Sequence, residues 1–115
     1  SRMEAIARHT AAAFGAECEF EFKRNYPPTI NHAAETAFAR GVMESIVGPE
    51  NVVAQEPTMG AEDFAYMLQA RPGAFVFVGN GDSANLHHPA YDFNDEVIPV
   101  GASYWVRLVE TALAA

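Results

Sequence analysis

Two histidines stand side by side in Asn85-Leu86-His87-His88-Pro89-Ala90-Tyr91-Asp92-Phe93-Asn94-Asp95-Glu96, with acidic residues close behind. Neutral imidazole is a good ligand for zinc, manganese or nickel. Adjacent residues point apart, so only one of the pair normally serves a given ion. One histidine falls far short of the three or four protein ligands of a zinc site. The same residues also make an ordinary polar surface loop, and spacing alone leaves both readings open. A second stretch is Thr58-Met59-Gly60-Ala61-Glu62-Asp63-Phe64. Gly60 at a helix start lets the backbone approach a ligand closely, and free N–H groups there can bind an anion such as a carboxylate. Helix capping and dipole compensation by Glu62 and Asp63 account for the same residues without a ligand. Neighbours on a helix point about 100° apart, which argues against joint action of these two carboxylates on one atom.

The remaining candidates are weaker. Cys18 lies on the apolar side of a strand-like stretch and reads as a core residue rather than a nucleophile. A lone cysteine also excludes an internal disulfide and any multi-cysteine metal site. His9 falls off the apolar stripe of its helix, and His32 calls for no role beyond local polar contacts. The 115 residues suit one domain or part of a larger one. Half of them are hydrophobic, which argues against disorder. Seven Lys and Arg against fifteen Asp and Glu give a net charge of −8, and a nucleic-acid surface needs clustered cations instead. No apolar run approaches the roughly 20 residues of a membrane span. Nor does a basic head precede an apolar core, as in a signal peptide. Cytoplasm is the expectation.

The elements that must position these residues follow from periodicity. Residues 2–14 read as a helix with Met3, Ile6, Ala7, Ala11 and Phe14 at helical spacing and Gly15 as its stop. Residues 17–24 alternate Cys18, Phe20 and Phe22 with charged neighbours, the pattern of a strand with one apolar face. Tyr26-Pro27-Pro28-Thr29 is a rigid connector. Asn31 can cap a helix over 32–47, ended by Gly48-Pro49, with Ala34, Phe38, Val42 and Ile46 inward. A short strand over 51–54, a helix over 61–69 and a buried strand over 74–78 come next. The 61–69 helix presents Phe64, Met67 and Leu68. After the loop Gly79-Asn80-Gly81-Asp82-Ser83, a helix over 98–113 carries Pro99 in its first turn and Val100, Tyr104, Leu108 and Ala112 on one face. Strands separated by helices predict an α/β fold, with helices packed on a small sheet.

Four blocks then carry a resemblance, in register over nearly the whole chain. They are Tyr26-Pro27-Pro28-Thr29-Ile30-Asn31, Met59-Gly60-Ala61-Glu62-Asp63-Phe64-Ala65-Tyr66, Pro72-Gly73-Ala74-Phe75, and the stretch from Leu86 to Glu96. Together they resemble the C-terminal part of the metal-dependent N-acyl-amino-acid amidohydrolases. That is the hippurate hydrolase and auxin-conjugate hydrolase group of the aminoacylase and carboxypeptidase superfamily. The resemblance implies that residues 1–26 are the end of a lid and dimerisation domain, and that residues 27–115 are the C-terminal part of a metallopeptidase-like catalytic domain. His87 matches the metal ligand of the family's His-x-Pro motif, and His88 fills its variable position. Gly60 is the site expected for the substrate carboxylate. No catalytic residue is assigned, because the family's catalytic glutamate and its other ligands belong to an N-terminal half not present here. The implied reaction is amide hydrolysis of hippurate-like N-acyl amino acids by metal-activated water. The implied cofactor is a divalent pair (zinc, manganese, cobalt or nickel), with none expected on the isolated chain. A homodimer is implied, and no nucleic-acid or membrane partner is expected. The competing expectation is a folding or assembly module without enzymatic activity.

Overall fold

Among the described residues four α-helices form close to where the apolar spacing places them, α1 Arg2–Ala13, α2 Ala33–Val47, α3 Phe64–Ala70 and α4 Val97–Ala112, with α3 beginning three residues later than expected. The computed structural model describes residues 1–114. Helix α1 begins with the Ser1 hydroxyl accepting from the Glu4 N–H at 3.3 Å. It closes at Gly15, whose φ of +69° is left-handed. Ala16 N–H then donates to Ala11 C=O and Gly15 N–H to Ala12 C=O, the double bond of a Schellman cap. Arg8 bonds Glu4 one turn back and reaches the Cys18 carbonyl at 2.9 Å. The guanidinium holds the Glu4 carboxyl below its ordinary range.

Helices α2 and α4 pack on each other and make one small core of Ala39, Val42 and Tyr104. Burial raises the Tyr104 phenol above its ordinary value, so the ring is neutral across the physiological range. Pro99 sits in the first turn of α4 as expected. A second cluster forms around α3, where Ala65 and Leu68 are buried. Phe64 meets Phe75 at a tilt, while Phe75 meets Phe77, and Tyr26 meets Tyr66, edge to face. The Tyr66 hydroxyl donates to the Asn25 carbonyl at 2.6 Å, which ties α3 to the double-proline connector.

The expected sheet is absent: among the described residues there is no strand, so the α/β expectation is corrected to a helical arrangement with long irregular segments. The reason is the same at all three places. Alternation marks a surface that is apolar on one side, but a strand also needs a second backbone to pair with. Residues 17–24 meet none. At 51–54 only Asn51 joins a regular element, the 3₁₀ turn Pro49–Asn51, and Arg40 takes up the Val52 carbonyl. At 74–78 the side chain of Asn31 substitutes for a neighbouring strand. Its Oδ1 accepts the Phe75 N–H at 2.7 Å and its Nδ2 donates to the Phe75 C=O at 2.8 Å. Asn31 therefore does not cap α2; His32 holds that position without a side-chain cap bond. The His32 backbone N–H donates to Gly73 C=O, and its Nδ1 accepts the Gly73 N–H at 3.2 Å. That pairing across the chain was not foreseen for His32.

Other inward positions also differ. Val42 is buried, whereas Phe38 and Met67 are exposed, and Cys18 is only half-buried. The chain measures 68 × 36 × 20 Å with a radius of gyration of 20.6 Å, against about 13 Å for a compact chain of this length. Among the described residues helix α1 packs on no other helix. No helix among the described residues is long and apolar enough to cross a membrane.

Candidate functional site

The His87 segment is two consecutive turns on an exposed loop. His88 N–H donates to Asn85 C=O at 3.1 Å, and Tyr91 N–H donates to His88 C=O at 2.9 Å. His87 occupies the third position of the first turn with φ +67°, the one non-glycine residue in the left-handed region among those described. A left-handed third residue is the mark of a type II turn, and histidine enters that region more readily than most side chains. Pro89 is second in the next turn, where its fixed φ fits. The His88 ring is committed locally: its Nδ1 accepts the Ala90 N–H at 3.1 Å, which leaves the ring proton on Nε2. The His87 ring takes part in none of these bonds and is exposed. The two rings thus divide the work, one shaping the turn and the other left open to a ligand.

The chemistry of the donors sets what the segment can hold. An open imidazole fits one position of a coordination shell. Among the described residues no three His, Cys, Asp or Glu side chains gather closely enough to hold a metal ion. These residues cannot complete a zinc site, which takes at least three protein ligands.

Gly60 differs from expectation. Helix α3 starts at Phe64, so Gly60 lies in the irregular segment ahead of it and is exposed. Its backbone is not left-handed, and a Cβ built there would meet only the Thr58 hydroxyl, at 3.9 Å. A Cβ at Gly60 therefore crowds nothing within the described chain. The capping account of Glu62 is realised: its Oε1 accepts the Phe64 N–H at 3.0 Å. Thr29 Oγ1 donates to the Glu62 carbonyl at 3.4 Å and anchors this end of α3 to the connector.

Sequence reasoning passed over Asn80. Its Oδ1 accepts the Asn94 N–H at 2.8 Å, and its Nδ2 donates to the Asp92 carbonyl at 2.7 Å and to Ser83 Oγ at 2.9 Å. The available signal was an asparagine inside a glycine-rich turn, a residue type that bonds backbone groups in loops.

Residues 4–111 match the family model described as peptidase family M20/M25/M40. The chain is 41% identical over 88 residues to an IAA-amino acid hydrolase of Arabidopsis thaliana, which covers 72% of this chain and 20% of that protein. It is 32% identical over 116 residues to an N-acetylcysteine deacetylase of Bacillus subtilis, covering 96% and 29% respectively. An N-acetyl-L-cysteine deacetylase of the same species is 31% identical over 105 residues, covering 91% and 24%. The chain thus spans 20–29% of the length of these relatives. No solved structure matches it. With a family match running from Glu4 to Thr111, the chain belongs to peptidase family M20/M25/M40.

Proposed function

We propose that this chain is the C-terminal portion of a metal-dependent amidohydrolase that cleaves N-acyl amino acids of the hippurate type. The observation that carries the reading is the match over residues 4–111. Relatives named for IAA-amino acids and for N-acetylcysteine point to amino-acid conjugates as the substrate class. In this reading residues 1–26 belong to a lid and dimerisation domain and residues 27–115 to the catalytic domain. The full-length protein would act as a homodimer.

His87 would donate one imidazole nitrogen to a divalent ion: zinc, manganese, cobalt or nickel. When bound, such a metal supplies Lewis-acid polarisation of the amide carbonyl and an activated water. The rest of the work of this chain is positional. The turns around His87 set its ring direction, and His88 fixes the second turn without competing for the ion. The backbone at Gly60 would lie against the substrate carboxylate.

The test is release of free amino acid from hippurate and N-acetylcysteine by the full-length protein, with each of the four metals and then with a chelator. Metal-dependent release is expected; no release with any of the four would defeat the reading. Gly60→Val sharpens the substrate assignment. Because the added Cβ meets nothing closer than the Thr58 hydroxyl at 3.9 Å, the variant should keep its metal content and stability and raise KM several-fold. An unchanged KM would withdraw Gly60 from the site.

A further inference from the structure

We infer that Asn80 is a positioning residue for His87, acting as the clip that closes the loop on which His87 stands. The inference rests on the proposed role of His87 as a metal ligand. One side chain gathers both ends of the loop: Asn94 N–H and the Asp92 carbonyl from its far end, and Ser83 Oγ from its near end. The other backbone bonds of the region are local. They join Asn85 to His88, His88 to Tyr91, Asn94 to Val97 and Asp95 to Ile98. None of them spans the loop. Asn80 and Asn94 are both half-buried, whereas His87 and its immediate neighbours are exposed. The base of the loop is therefore the protected part, and the tip depends on it.

The clip has a scaffold behind it. Asn31 and His32 fasten residues 73–75, and the chain runs from there through Phe77 to Asn80. Beyond Asn94 the chain enters α4. Asn80 thus couples a fastened segment to the start of a packed helix, with the left-handed His87 between them. Groups bonded directly to a metal ligand typically change affinity by about 10- to 100-fold when removed; Asn80 bonds Ser83, Asp92 and Asn94 rather than His87, so its effect belongs at the low end, about tenfold. Removing the amide should have that effect on the ion at His87.

Asn80→Ala removes both arms of the clip. Asn80→Asp keeps an acceptor for the Asn94 N–H and loses the donor to Asp92. Amide hydrogen exchange and zinc affinity by competition with a chelator, both on the full-length protein, are the readouts. In Asn80→Ala, residues 81–94 should exchange faster while α2 and the later turns of α4 keep their protection, and zinc affinity should fall on the order of tenfold. Asn80→Asp should lie between it and the wild type on both scales. Unchanged exchange in the loop, or faster exchange with unchanged zinc affinity, overturns the role of Asn80. If Asn80→Ala does not fold, Asn80→Asp decides alone, and a loop exchanging at the wild-type rate overturns it. A wild type that retains none of zinc, manganese, cobalt or nickel sinks the metal role of His87 itself, an outcome read before any variant is made.

Discussion

Replacing His87 in the full-length protein is expected to abolish most hydrolysis and lower the metal content. Several kcal/mol of transition-state stabilisation come from a metal acting as a Lewis acid. At about 1.4 kcal/mol per tenfold, that is a loss in kcat/KM on the order of a thousandfold. The choice of substitution matters because His87 sits at φ +67°. Alanine pays a backbone penalty in this region, roughly 1 kcal/mol or more, whereas glycine does not. His87→Ala therefore removes a ring and strains a turn, while His87→Gly removes the ring and relaxes the turn. If the ring is a ligand, both variants lose metal and activity alike. Should His87→Gly keep its metal and its rate, the position serves the turn and the ligand assignment fails.

The second large effect concerns the 115 residues taken by themselves. They should neither hydrolyse hippurate with added metal nor stay monomeric. Inactivity follows from the missing donors, since no three metal-ligating side chains are gathered among the described residues. Association follows from what lies uncovered. On α4 the apolar side chains of Ile98, Trp105 and Val109, with Leu113 just after it, are exposed on a side away from buried Tyr104, Trp105 by 65% and Leu113 by 77%. A helix apolar on two faces is made to be buried. Phe14 at the C-terminal end of α1 is 86% exposed and Phe22 in the unpaired 17–24 segment 53%. An unpaired extended segment with an apolar side is a template for a second copy. Sedimentation should show the average mass rising between low and high micromolar concentration, and Phe22→Lys should reduce the rise. A monomer throughout that range would end the idea. Turnover by the purified chain would overturn the inactivity claim and the assembly-module reading with it.

The helices were legible because a helix is nearly self-sufficient: its hydrogen bonds are internal, and its caps are a few residues away. Gly15 and Gly48 stop α1 and α2 where the sequence places the stops. The strands were not legible in this sense, because their partners lie outside the local pattern. The run from Ala74 to Val78 is apolar enough for a central strand, yet Phe77 and Val78 are more than half exposed. The Phe75 backbone has found an asparagine side chain in place of a ladder. His87 was legible through its motif and not through its geometry; nothing in the residue order announces a left-handed backbone. Gly60 was read from the freedom of glycine near a helix, and the later start of α3 removes that local reason. Asn80 escaped notice because its partners, Asp92 and Asn94, stand 12 and 14 residues away.

The clip at Asn80 also carries a chemical clock. Asn80 is followed by Gly81, whose φ is +81° and which offers no side chain to hinder attack by its own backbone nitrogen. That nitrogen can add to the Asn80 side-chain carbon and expel ammonia; water then opens the ring to aspartate or isoaspartate. Asparagine is among the thermolabile side chains for this reason. In the closed loop the amide is pinned by three bonds and held from cyclising, so deamidation is gated by loop opening. Once it occurs, a carboxylate faces the Asp92 carbonyl where a donor stood, and the loop cannot close as before. The age of a molecule would thus be written at the residue that holds the His87 loop shut.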